Sequence, residues 1–137
     1  MLRLSTILSA FLLLSIHTQA QKNIRHSAVI AFYNLENLCD TIDDPTTNDE
    51  EFLPTSARAW NSDKYQRKLQ NLSTVISEIG SDEGLTPPAV IGLVELENKA
   101  VLSDLIAQPA LKKYNYGIVH YNSPDKRGMD VALLYRS

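Results

Sequence analysis

The sequence holds a single cysteine, Cys39, which excludes an intramolecular disulfide framework and any zinc site built from several thiolates. A lone cysteine of this kind fits either redox compartment as a small buried hydrophobe. A basic excess is also lacking, since 13 Lys and Arg stand against 16 Asp and Glu for a net charge of −3. The chain therefore has no positive field of the sort that holds proteins on nucleic acid by counterion release, and a phosphate substrate would need a bound cation or a local arginine. With 5 glycines and 6 prolines, collagen-like and low-complexity readings drop out. No internal repeat is visible. What remains is ordinary globular composition, 44% hydrophobic and 21% charged over 137 residues, enough for one small domain.

The N-terminus reads as an export signal. Arg3 gives a positive start, residues 4–16 an apolar run, and Thr18-Gln19-Ala20 a small-residue exit suited to signal peptidase. The run falls short of the roughly 20 apolar residues of a membrane-crossing helix, so no stable span is expected after cleavage. Residues 1–20 are assigned as signal and 21–137 as the mature chain, exported to the periplasm or beyond. No Cys lies beside the cleavage site, which argues against lipid attachment there.

Residues 27–34 form a short apolar run that reads as a strand buried on both faces. Residues 40–52 gather Asp40, Asp43, Asp44, Asp49, Glu50 and Glu51 around Pro45, and predict a long surface loop. That loop lacks the ligand spacing and glycine of an EF-hand, so a solvated excursion is preferred over a calcium-dependent adhesin. From Asp63, Tyr65, Leu69, Leu72, Ile76 and Ile79 recur at helical spacing, with Asn61 or Ser62 as cap and Gly80 at the exit. Asn71-Leu72-Ser73 is a glycosylation sequon in mid-helix and carries little weight. Residues 89–95 predict a second strand, parallel to the first across a right-handed crossover. A second helix follows to about Gln108, with Pro109 marking its exit. Residues 116–121 and 130–136 predict an antiparallel pair, joined by turn chemistry over 122–128. Two helices cover only one face of such a sheet, so the sequence reads as part of a larger domain.

In open α/β sheets ligands bind where the carboxyl ends of the strands meet. The first strand ends in Tyr33-Asn34-Leu35-Glu36-Asn37 and the second in Val94-Glu95-Leu96-Glu97-Asn98, so carboxylates and amides of both converge on one rim. Oxygen donors without Cys or a His pair suit Mg²⁺ or Mn²⁺. The same residues also fit solvated strand ends or helix caps, and composition alone does not decide.

Three segments in series add weight. Phe32-Tyr33-Asn34-Leu35-Glu36-Asn37-Leu38, then residues 91–98, then Arg127-Gly128-Met129-Asp130 through Arg136 resemble the endonuclease/exonuclease/phosphatase superfamily, particularly its exported bacterial members. The resemblance implies a deoxyribonuclease I-like fold, an α/β (α+β) four-layer α/β/β/α sandwich of which this chain matches the first half. It also implies a Mg²⁺-dependent phosphoesterase, acting by attack of metal-activated water on a phosphate ester, nucleic acid included. By resemblance, Glu95 is the metal-binding glutamate, Asn34 lies beside metal and scissile phosphate, and Glu36 is an accessory ligand. Glu97 is expected to point away and serve the next helix N-terminus. Arg127 is expected to reach a substrate phosphate, held by Asp130. His120 and His26 lack the family's Ser-Asp-His context and read as structural or exposed. Absent too are the family's Asp-x-Asn and Gly-Asp-Phe-Asn-like segments, so a truncated chain with very weak or no hydrolysis is expected. The alternative is a non-catalytic exported fragment that pairs through an open sheet edge or uncovered face.

Overall fold

The computed structural model describes residues 27–136, so the proposed signal and His26 lie outside the described residues. Four strands form one sheet: β1 (Ile30–Leu38), β2 (Val90–Leu96), β3 (Tyr116–Tyr121) and β4 (Asp130–Arg136), in the order β1-β2-β4-β3. β1 and β2 run parallel, as their linking helix requires, while β4 is antiparallel to both neighbours. The sequence reading found both pairs but not their junction, which inserts β4 between β2 and β3. This is the α/β architecture expected.

The linking helix α1 (Ser62–Glu78) lays Tyr65, Leu69, Leu72 and Ile76 on the sheet. Of the two candidate caps, Asn61 does the work, its side chain accepting from the Lys64 N–H at 3.1 Å. Gly80 at the exit has φ 90°, and a Cβ there would lie 2.7 Å from Val29 Cγ2. After β2, Asn98 caps α2 (Lys99–Ile106) by accepting from the Val101 N–H. Pro109 does not merely end that helix: it opens a separate short one, α3 (Pro109–Lys112), where a missing N–H costs nothing.

All three helices pack on one face, burying Leu35, Leu69, Ile91, Leu93, Leu102, Leu105 and Leu134. The expectation that β1 is buried on both faces is corrected. Ala31, Tyr33 and Leu35 face the helices, whereas Ile30 and Phe32 on the other face are 79% and 72% exposed. The acidic segment is the surface loop expected, with one part drawn inward. It contains a single 3₁₀ turn, Glu50–Phe52, whose Phe52 joins Cys39 and Met129 in a second small core. Burial of one aromatic side chain is enough to draw an otherwise polar loop onto the body. Trp60 clamps the loop's start, its indole N–H donating to the carbonyls of Cys39 and Asp40 at 3.1 and 3.0 Å.

Candidate functional site

The rim is built by two irregularities at equivalent places in adjacent strands. The β1–β2 register is regular through Asn34↔Val94, then breaks and resumes at Leu38↔Leu96. On β2's other side it breaks between Val94 and Leu96. The residues in these breaks, Glu36, Asn37 and Glu95, have φ of 54°, 59° and 59°, left-handed conformations that side-chain-bearing residues adopt at a cost of about 1–3 kcal/mol each. Bulges re-aim side chains at sheet ends, and here the break leaves Glu95 only half-buried where alternation with Ile91 and Leu93 would send it into the core, while Glu36 keeps the exposed phase of Phe32 and Asn34. Asn34 Oδ1 accepts the Glu36 N–H at 2.6 Å, fixing the turn from inside. Neighbouring strands lie about 4.8 Å apart, so Asn34 and Glu95, one register step apart, share one rim.

Two cations feel the charge of Glu95. Arg127, from the loop before β4, lies within electrostatic reach of it. Lys68, from α1, feels both Glu36 and Glu95, while burial is the larger effect and pulls its ammonium below the ordinary lysine range. Its Nζ donates to the Glu36 carbonyl at 2.6 Å, stitching α1 to the β1 bulge.

The expected Arg127–Asp130 contact is corrected. Arg127 binds Asp125, Nη2 to Oδ2 at 2.9 Å and Nε to Oδ1 at 3.4 Å, a fork closed within three residues of the turn. This contact raises the guanidinium's pKa and lowers that of the Asp125 carboxyl. Asp130 instead faces inward, where Oδ2 meets His120 Nε2 at 2.7 Å and Oδ1 accepts the Ser123 N–H at 2.7 Å, with both side chains 6% exposed. β4 begins at Asp130, so its pleat assigns that residue to the core side while Arg127 remains in the solvent-facing turn. His120 is thus the structural residue anticipated. Glu97 does turn from the rim, but not to the helix start. Its Oε2 accepts the Asp40 N–H at 2.8 Å, binding the acidic loop to β2. Burial, with Asp40, Asp49 and Asp44 nearby and the Asp40 amide opposing, pushes its carboxyl up to about 7.

The donor set at the rim suits a hard cation. The Glu95 carboxylate accepts no hydrogen bond from any described residue, and neither does that of Glu36, whereas Asn34 Oδ1 is already engaged. Among the described residues no three His, Cys, Asp or Glu side chains gather as a metal cage. The carboxylates of Glu95 and Glu36 with the Asn34 amide oxygen are hard donors of the kind that take a divalent cation together with water and phosphate oxygens.

A family model described as Endonuclease/Exonuclease/phosphatase family matches residues 29–137. The chain belongs to that family. The match begins at β1 and spans all three segments singled out in the sequence. Members of the endonuclease/exonuclease/phosphatase family are typically hydrolases of phosphate esters that use divalent metals, and the oxygen-rich rim is in keeping with such membership. Searches of curated proteins and of solved structures return no match to this chain.

Lys68, Asp125 and the Trp60 clamp went unnoticed in the sequence. Asp125 was visible as an i, i+2 partner of Arg127 within turn chemistry. Lys68 carried a weaker signal, one residue off the apolar stripe of its helix and therefore on the flank nearest the sheet edge.

Proposed function

We propose that this chain contributes the metal-side half of a phosphoesterase site, in which Glu95 and Asn34 hold Mg²⁺ or Mn²⁺ at the rim with Glu36 as accessory ligand. The observation that carries this reading is the paired bulge, which sets a left-handed Glu95 with an uncommitted carboxylate beside Asn34 on the adjacent strand. When bound, the ion supplies Lewis-acid polarisation of a phosphoryl oxygen. Asn34, held by the Glu36 amide, presents its side-chain N–H to a phosphate oxygen. Arg127, pre-aligned by Asp125, brings a fixed positive charge to the same end of the sheet. Lys68 keeps the β1 bulge in place and balances the carboxylates before the ion arrives. The substrate is a phosphate ester, with nucleic acid among the candidates. Among the described residues none takes the role of general base, so turnover is expected to be very slow.

The test is paramagnetic. Adding Mn²⁺ to the full ¹⁵N-labelled chain should broaden the amide signals around Asn34 and Glu95, and Glu95→Gln should remove that broadening while leaving the spectrum folded. Broadening centred on residues 40–49 instead, or unchanged in the variant, would overturn the assignment.

A second reading draws on the sheet itself. β1 is an edge strand and the outer face is apolar, so we also propose a non-catalytic role in which the chain pairs through that edge or face. Export, proposed from residues 1–20, is tested by fractionating cells that make the full chain.

A further inference from the structure

Between β1, which is an edge of the sheet among the described residues, and α1 from Lys64 to Val75 lies a groove of about 390 Å³. Tyr33, Trp60 and Leu72 form its walls, and Lys64, Arg67 and Lys68 line it at helical spacings of three and four. In a chain of net charge −3, this is a local concentration of positive charge. None of the three forms an ion pair among the described residues. Lys64 Nζ donates to the Arg58 carbonyl and Lys68 Nζ to the Glu36 carbonyl, both at 2.6 Å, which aims each ammonium and leaves it further N–H groups. Arg67 is exposed and its guanidinium has no hydrogen-bond partner among the described residues. Like charges crowded on one helix flank repel, and an anion between them removes the repulsion while using donors the fold leaves free.

We propose that this groove is a second phosphate-binding site, holding a phosphate group on an apolar body. Glu36 lines the groove and also stands at the rim, so the two places share a residue. Resting on the phosphoesterase reading, this makes the substrate an ester with at least two phosphates, one at the Asn34–Glu95 rim and the other on Lys64 and Arg67. The tetrahedral oxygens suit a cluster of separate donors, and Tyr33 and Leu72 give the organic part an apolar surface. Two anchoring points would also fix which ester bond faces the rim.

The test titrates phenyl phosphate into the full ¹⁵N-labelled chain in EDTA, so that no divalent ion contributes. The amides of α1 and the Trp60 indole N–H should shift, and the double substitution Lys64→Glu, Arg67→Glu should weaken binding by about tenfold or more. Both positions are exposed helix sites, and circular dichroism checks that the variant remains folded. Shifts confined to residues 122–128, equal binding by the double variant, or the same shifts with phenol alone would each overturn the proposal. Because no metal is present, binding here survives even if the Mn²⁺ experiment fails, and the two failures are distinguishable.

Discussion

Glu97 shows how one carboxyl couples the loop to the sheet. Its pKa is raised to about 7 by burial and by neighbouring carboxylates, against an ordinary value of 4.5 in the unfolded chain. Between those values the folded state binds the extra proton, so stability is greatest below about pH 4.5 as far as this group is concerned and declines as pH rises toward 7. Glu97→Gln keeps an acceptor for the Asp40 N–H and removes the charge. We expect it to be more stable than the parent at pH 8 by about 1 kcal/mol, a figure reduced for solvent screening because the group is partly exposed. The difference should vanish at pH 4.5, and urea melts at the two pH values read it directly. A variant equally destabilised at both would mean that the Asp40 tether, not the charge, dominates. The sequence showed Glu97 as a strand-end acid, but its partner is 57 residues away, and no local pattern encodes that contact.

At the level of elements, the two bulges oppose local preference to position chemistry. Glu95 sits at φ 59°, where glycine is free of the Cβ penalty. Glu95→Gly is therefore expected to hold or raise stability, by up to about 1 kcal/mol, while losing all Mn²⁺-dependent broadening at the rim. Thermal melts and the paramagnetic spectra together check this opposition, and a clear loss of stability would contradict it. The helices were legible because Leu69, Leu72 and Ile76 repeat at one spacing and Asn61 and Asn98 stand where caps belong. The bulges were not. A strand that gains one residue keeps the same composition, so the apolar run to Asn34 marks only part of β1, which continues to Leu38. Phe52 was missed for the opposite reason, one apolar residue among acids being too small a signal to mark a core.

The described residues form a sheet with helices packed on one side. Its outer face carries Ile30, Phe32, Val119, Tyr121, Val131 and Tyr135, all exposed. An exposed apolar surface of this kind is what the proposed pairing through the outer face rests on. Tyr121 and Val131 are cross-strand partners on that face, 78% and 58% exposed. Replacing both by Thr preserves strand preference, and should change folding stability by no more than about 0.5 kcal/mol per site while sharply lowering binding of a hydrophobic dye. Unaltered dye fluorescence would place the sticky surface elsewhere. The parallel β1–β2 pair and the β3–β4 hairpin were each readable from strand-length runs and their connections. The insertion of β4 beside β2 was not, because both orders satisfy the same alternation and only the pairing of whole strands separates them.

The chain has one tryptophan, and the fold has put it where several of these parts touch. Trp60 is tied by its N–H to the exit of β1, lies edge-on to Phe52 with ring centres 6.3 Å apart, and has the Lys68 ammonium 5.9 Å from its own ring centre. Its emission is consequently a built-in gauge: a ligand that draws Lys68 away, or a loosening of the loop's clamp, changes the indole's electric surroundings and so the colour of its light, with no label attached.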